Sequence, residues 1–367
     1  MYNIVRYSVF NNHGLISLIE CLGGISMDII QSIEKNTVSI PSVLTDLIGE
    51  KKFVIFDIET TGLNSSYNKV ILIGIVYLDG DKVVTKQFFC NKSTEEKELL
   101  EAFIDAFKNF DFYISFNGGN FDIPFLNKRF AKHNLNYKID SFLNFDLYKV
   151  VRRNKNHLGL VNCKLKTVEK YLGIERKDTI NGLESIKLYK EYERTGDDTL
   201  KKKVLLHNFE DILHLLPTMN ILNYIKKDRI FAFLPKEFSY NDKLTIRTSD
   251  YKISKDFLYV TGSYCGDLNQ DFVYYNHTYD LSLLRDNQQF SLKIPLLSVN
   301  DTNDTTYTFI NLNELDFLDI TLSALDNKEK LKYLVKAGNE VKDFNIFSFT
   351  KEFSLNVLDR ITLDKDS

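Results

Sequence analysis

The chain has no tryptophan, only four cysteines and no long apolar run among its 367 residues. Cys21, Cys90, Cys163 and Cys265 are scattered and form no C-x-x-C pair, which argues against a cysteine-ligated zinc site or a disulfide frame. Reduced thiols of this kind fit a cytoplasmic location. No stretch approaches the ~20 apolar residues of a membrane span, so no membrane partner is expected. Glu20 interrupts the run Leu15 to Leu22 and no basic segment precedes it, so it is not read as a signal peptide. Net charge is only −3, which excludes a chain-wide attraction to polyanions. There is no sequence repeat and no long linker.

What is there is an ordinary folded composition, 44% hydrophobic and 26% charged, in a length that accommodates two domains or one large one with additions. Charge is unevenly spread. Asp146 to Lys203 carries 15 Lys and Arg against 9 Asp and Glu, whereas Asp228 to Ser367 carries 16 against 22. A phosphate backbone would be met by the basic middle and not by the acidic C-terminal third. Two ordinary solvated surfaces would give the same asymmetry.

The most informative stretch is Phe53-Val54-Ile55-Phe56-Asp57-Ile58-Glu59-Thr60-Thr61-Gly62-Leu63. Four apolar residues read as a buried strand, and it ends in two acids one residue apart. Strand side chains alternate faces, so Asp57 and Glu59 point the same way. Two carboxylates aimed at one spot must be paired, protonated or neutralised. A divalent cation is the simplest solution. Two further acids join them. Asp122 follows Ser115-Phe116-Asn117-Gly118-Gly119-Asn120-Phe121, a strand end and a sharp glycine turn that opens a helix. His207 and Asp211 are four apart and share one face of a long helix.

Residues 1–50 read as an N-terminal extension with a strand-like run at Ile4–Phe10, a helix at Ser26–Lys35 and a Pro41-Ser42 break. Strands follow at Phe53–Asp57, Val70–Leu78 and Val83–Phe89, the last two joined by the turn Asp79-Gly80-Asp81. A helix starts at Ser93, with Glu96 completing a capping box, and runs to about Asn109. Next come a strand at Phe112–Phe116, a helix at Phe121–His133 and a strand at Phe142–Leu147. Helices at Leu165–Leu172, Leu183–Arg194 and Asp198–Asn223 complete the segment, the last with Pro217 as a candidate kink. This order predicts an α/β class, a mixed sheet flanked by helices, over residues 51–227. From Arg229 the texture changes to short runs at Leu244–Arg247, Phe257–Gly262, Phe272–Tyr275, Phe290–Ile294 and Tyr307–Ile310. They predict a small antiparallel β-rich accessory domain over residues 228–367, closed by two short helices.

Three motifs in order carry a resemblance: Asp57-Ile58-Glu59-Thr60-Thr61-Gly62-Leu63, then Phe116-Asn117-Gly118 with Phe121-Asp122 and Pro124-Phe125-Leu126, then His207-Asn208 with Asp211. Over roughly residues 50–225 the chain resembles the DEDD (DnaQ-like) 3′–5′ exonuclease superfamily, whose fold is ribonuclease H-like. Leu165-Lys166-Thr167-Val168-Glu169, Arg176-Lys177-Asp178 and Tyr192-Glu193-Arg194-Thr195-Gly196-Asp197 are similar to a bacterial subgroup of it. The resemblance implies that Asp57, Glu59, Asp122 and Asp211 hold two Mg²⁺ or Mn²⁺ ions, and hard cations do favour carboxylate oxygens. Two such ions activate a water and stabilise the leaving 3′ oxygen. His207 would be the general base, a task that suits an imidazole near neutrality. Thr60 and Leu63 would line the site for the terminal nucleotide, Asn117 and Phe121 would flank Asp122, and Asn208 would help orient the site. The implied partner is single-stranded DNA or RNA with a free 3′ end, its bases held by stacking, and the implied products are nucleoside 5′-monophosphates.

The chain departs from the family in one respect. Members with a histidine base place it five positions before the last aspartate. Here it stands four before, where other members carry tyrosine. His207 still lies over Asp211 on one helical face and is kept as the base.

Other candidates have plainer roles. Asp146 reads as a helix cap, His214 as packed or solvated, and His133 and His157 as surface residues. For Arg152, Arg153, Lys164 and Lys166, tracking phosphates and simple solvation are an even choice. Three other functions use the same fold: a nucleic-acid binder without catalysis, an interaction protein, and an endonuclease acting on RNA in hybrids.

Overall fold

The computed structural model describes residues 6–11, 14–20, 27–240, 244–275, 277–315 and 321–363. The chain divides into two compact units, Met1–Lys226 and Lys227–Ser367.

The first unit holds an eight-stranded mixed sheet. Its strands are β1 (Arg6–Asn11), β2 (Gly14–Glu20), β3 (Asp28–Lys35), β4 (Phe53–Thr60), β5 (Val70–Asp79), β6 (Lys82–Phe89), β7 (Phe112–Ser115) and β8 (Asn144–Asp146), in the order β2-β1-β3-β6-β5-β4-β7-β8. The run β4 to β6 is an antiparallel meander, while β7 and β8 lie parallel to β4. The helices are α1 (Ser42–Ile48), α2 (Glu96–Phe107), α3 (Asp122–Lys132), α4 (Leu147–Asn154), α5 (Leu165–Tyr171), α6 (Gly182–Thr195) and α7 (Asp198–Thr218). This is the mixed, helix-flanked α/β arrangement expected from the order of elements.

Strand alternation sorts β4 between two layers. Val54, Phe56 and Ile58 turn to one face and pack with Leu99, Phe103 and Phe107 of α2 and Leu126 and Phe130 of α3. The opposite face, with Asp57 and Glu59, is covered by α6 and α7, where Ile71, Leu72 and Phe89 meet Tyr189, Tyr192 and Val204. A strand buried on both faces needs a near-continuous apolar run, and Phe53 to Phe56 supplies it.

Three expectations for the first unit are corrected. The segment read as a helix at Ser26–Lys35 is the strand β3, in register with β6 from Asp28 opposite Phe89 to Lys35 opposite Lys82; Ser26 lies outside the described residues. Ile29 packs into the α2–α3 core and Ile30 against the α6–α7 core, so consecutive isoleucines serve opposite faces as only a strand allows. The capping box at Ser93 does not form; a short 3₁₀ turn precedes α2, with no side-chain cap. Glu96 instead turns inward, accepting from Val70 N at 2.8 Å and from Arg129 Nε and Nη2 at 2.7 and 2.5 Å. Burial opposes the charge of Glu96, but these bonds and one from His133 outweigh it and hold the carboxyl below its ordinary value. His133, read as a surface residue, therefore sits 2.8 Å from Glu96 Oε2.

The second unit opens with α8 (Lys227–Phe231) and is built on an antiparallel sheet of β9 (Glu237–Tyr240), β10 (Leu244–Ser254), β11 (Phe257–Gly266), β12 (Phe272–Tyr275), β13 (Asp280–Leu284), β14 (Gln289–Asn300), β15 (Thr306–Ile310), β16 (Leu334–Ala337) and β17 (Glu340–Val341). In place of two short closing helices there is one long helix, running Asp343–Leu363. Its Phe349, Phe353 and Val357 join Leu258, Val260, Leu292 and Ile294 of the sheet in one core, which is what sustains a single helix there.

Among the described residues Cys90, Cys163 and Cys265 are free thiols, and Cys21 lies outside them. No helix among the described residues is long and apolar enough to cross a membrane.

Candidate metal centre and active site

The site begins where β4 outruns its neighbour. β7 pairs with β4 only as far as Ile55, which leaves the Ile58 N–H without a strand partner on that side. Asp122, the first residue of α3, accepts it at 3.1 Å. This places the Asp122 carboxylate beside Asp57 and Glu59. The turn that delivers it is tight: Asn117 has a φ of 73°, and a Cβ on Gly118 would lie 2.6 Å from the Ser115 side chain.

The fourth acid arrives on α7. Gly74 stands opposite Asp57 on β5, and a Cβ there would lie 2.2 Å from Asn208 Oδ1. Glycine at that point lets α7 come down onto the sheet. Asn208 is fully buried; its amide donates to Asp57 Oδ2 at 3.1 Å and accepts from Gln87 Nε2 at 2.9 Å. One residue earlier His207 is also buried, with Nε2 3.6 Å from Glu59 Oε1 and 3.8 Å from Asp211 Oδ2.

These acids strain one another electrostatically. Asp57 is pushed well above its ordinary pKa, first by burial and then by the charges of Asp122, Asp211 and Glu59. Burial likewise pushes Glu59 and Asp122 up, each to about 7. Among the described residues no group of three or more His, Cys, Asp or Glu side chains is placed so that it could hold a metal ion. The donor set is all oxygen apart from one imidazole and carries excess negative charge, which fits a hard divalent cation.

Several contacts at the site were not legible in the sequence. Arg176 Nη1 is 2.6 Å from Asp211 Oδ1, while its Nε and Nη2 donate to Glu169 at 2.5 and 2.8 Å. Burial opposes the Arg176 charge, yet its ion pairs with Glu169 and Asp211 raise its pKa above the ordinary value. Asp178 Oδ2 lies 2.9 Å from His207 Nδ1. Glu210 accepts from the backbone N–H groups of Lys177 and Asp178 at 3.0 and 2.8 Å, which fastens residues 176–178 to α7. No spacing rule pairs 178 with 207 or 74 with 208. The local signals were Gly74, a glycine inside an apolar strand, and the Leu165–Glu169 and Arg176–Asp178 segments of the resemblance, which carry the residues but not their partners.

The remaining candidates divide. Leu63 is 70% exposed on the loop after β4 and is free to meet a ligand. Thr60 is buried and its hydroxyl donates to Gly62 O at 2.8 Å, so it shapes the turn that carries Leu63. Phe121 is half-buried against Phe125. Asn117 donates its N–H to Asp146 at 2.7 Å and accepts from Asn120 with its side chain. Asn208, grouped with nucleic-acid contacts, has no exposed surface for one; its contacts orient Asp57. Asp146 caps α4 through Tyr148 N and holds the Asn117 turn. His214 is half-buried near Glu169, and His157 lies 3.1 Å from Tyr224 O. Lys166 is engaged by Asp178 and Ile180 O, whereas Arg152, Arg153 and Lys164 are exposed.

The RNase_H superfamily model matches residues 54–223, which span the whole site. Protein YprB of Bacillus subtilis (strain 168) is 30% identical over 241 residues, 64% of this chain and 55% of that protein. Protein MJ0365 of Methanocaldococcus jannaschii is 31% identical over 164 residues, 43% of this chain and 88% of its own length. A PolC-type DNA polymerase III of Mycoplasma genitalium is 27% identical over 263 residues, 60% of this chain but only 18% of the polymerase. The chain thus spans about half of YprB and a small part of the polymerase.

Proposed function

Because the chain belongs to the RNase_H superfamily, we propose that it is a metal-dependent 3′–5′ exonuclease that hydrolyses phosphodiester bonds at nucleic-acid 3′ ends and releases nucleoside 5′-monophosphates. The observation that carries this reading is the convergence of four carboxylates and one imidazole at the end of β4. The likeness to part of a DNA polymerase supports a nucleic-acid substrate. The free thiols and the exonuclease reading together support a cytoplasmic location.

Asp57, Glu59, Asp122 and Asp211 would hold two Mg²⁺ or Mn²⁺ ions, which when bound supply Lewis-acid polarisation of the attacking water and of the leaving oxygen. His207 takes the water's proton at Nε2, the nitrogen turned towards Glu59 and Asp211. Leu63 offers apolar contact to the terminal base, and Phe121 flanks Asp122 at the start of α3.

The test is a time course on 5′-labelled single-stranded DNA and RNA with Mg²⁺ or Mn²⁺. A ladder shortening from the 3′ end, with a circular strand left intact, is expected. Absence of product with either metal, or cutting of the circle, would overturn the proposal.

Metal binding should depend on pH. Glu59 and Asp122 sit near 7 instead of their ordinary 4.5 and 3.8, so their protons must leave before either can serve as a ligand. Added Mn²⁺ should raise the thermal midpoint little at about pH 5.5 and progressively more up to about pH 8. A pH-independent shift in a thermal melt would contradict this.

A further inference from the structure

Residues 176–178 touch the site at two points, and their role follows from hydrogen-bond chemistry. Asp178 is almost fully buried, and every contact its carboxylate makes is with a donor. Oδ2 accepts from Lys166 Nζ at 2.9 Å and lies 3.5 Å from Arg176 Nη1; Oδ1 accepts from Ile180 N at 2.9 Å. The fourth contact is His207 Nδ1, at 2.9 Å from Oδ2. Burial works against the Asp178 charge, but the bonds from Lys166 and His207 outweigh it and hold the group below its ordinary value. An ionised carboxylate can only accept. The proton on a neutral His207 ring must then reside on Nδ1, which leaves the Nε2 lone pair towards the acids.

We infer that Asp178 is the positioning residue for His207: it fixes the ring's orientation and its Nδ1–H tautomer, so that Nε2 is the atom that accepts a proton. The catalytic consequence rests on the exonuclease reading; the tautomer does not. Glu210 completes the device, because it anchors the Asp178 backbone one residue away from Asp211 on α7. One helix therefore carries the base, the last acid and the clamp for the residue that steers the base.

Asp178→Ala tests this, with Asp178→Asn as the control. Lys166, Arg176 and His207 all face Oδ2 and only Ile180 N faces Oδ1, so an amide placed there keeps its oxygen towards His207 and the Nδ1–H form with it. Alanine removes the acceptor, so nothing holds the proton on Nδ1, and a ring protonated on Nε2 cannot accept there. The full-length, metal-free protein labelled with ¹⁵N-histidine is to be measured by long-range ¹H–¹⁵N correlation above pH 8, with the His207 signal assigned by His207→Gln. The wild type and Asp178→Asn should show the Nδ1–H form, and Asp178→Ala should shift towards the Nε2–H form. In turnover on a labelled oligonucleotide, Asp178→Ala should lower kcat about 10²-fold with little change in KM, and Asp178→Asn should recover most of it. A wild-type Nε2–H tautomer, or an Asp178→Ala kcat within about threefold of wild type, would overturn the inference. If the wild type cuts nothing, the exonuclease reading fails, and the tautomer still decides whether Asp178 orients the ring.

Discussion

The Asp57→Asn variant is expected to lose about 10³-fold in kcat, while its metal-free form becomes harder to unfold. Both effects follow from one arrangement. The Asp57 carboxylate is buried and faces three like charges, which raises its pKa well above the ordinary value. In the unfolded chain the group ionises near its ordinary pKa. As pH rises past that value, the native state must either keep a proton or hold a repelled charge, so the group's contribution to stability falls. Asparagine never ionises and still offers Asn208 an acceptor in the same place. The gain in thermal midpoint should therefore be small near pH 4 and larger near pH 8. With Mn²⁺ present the order should reverse, because the wild type gains more from the ion. Catalytically, losing one ligand removes several kcal/mol of charge stabilisation, and each 1.36 kcal/mol is about tenfold in rate. Two melts and one kinetic run decide it. A variant that is both less stable without metal and fully active would refute the assignment of Asp57.

His207→Ala is expected to lower kcat by about 10²- to 10⁴-fold, the usual range for a positioned proton acceptor. Its effect on metal affinity should be small, because Nε2 stands 3.6 and 3.8 Å from the oxygens of Glu59 and Asp211 and the four carboxylates are untouched. The discriminating comparison is with Asp57→Asn: Mn²⁺ titration followed by thermal shift should show near-normal binding for His207→Ala and weakened binding for Asp57→Asn. If both variants bind metal equally poorly, His207 is a ligand and not the base. If His207→Ala turns over like wild type, another group or bulk water takes the proton. That outcome would give weight to its spacing of four from Asp211, where other members carry tyrosine.

Local periodicity exposed some of this site and hid the rest. Asp57 and Glu59 share a face because a strand has period two, and His207 and Asp211 because a helix returns after about four residues. Asp122 was legible because glycines mark the turn before it. What stayed hidden depends on residues distant in the chain. Asp178 meets His207 only once α5, α6 and α7 have packed. Gly74 matters only because Asn208 comes down on it. Ser93 and Glu96 fit a capping box by spacing, but Arg129 gives the Glu96 carboxylate a buried partner that a solvent-facing cap cannot match. The segment Ser26–Lys35 does not declare itself a strand because β3 pairs with β6, whose residues lie about fifty positions downstream. The closing helix was split because its anchor residues face a sheet that sequence period alone does not reveal.

β8 has a consequence beyond the site. It is three residues long and forms one edge of the first unit's sheet. Its last residue, Asp146, is buried and bends its carboxylate back to the N–H groups of Asn117, Gly119 and Tyr148. An open sheet edge is normally a template for intermolecular strand addition, and short edges ended by an inward charge are how natural sheets resist it. The same carboxylate that holds the glycine turn ahead of Asp122 thus leaves little free ladder for another chain to extend. Asp146→Ala would loosen the turn and uncover that edge together, which couples loss of the site to a tendency to self-associate.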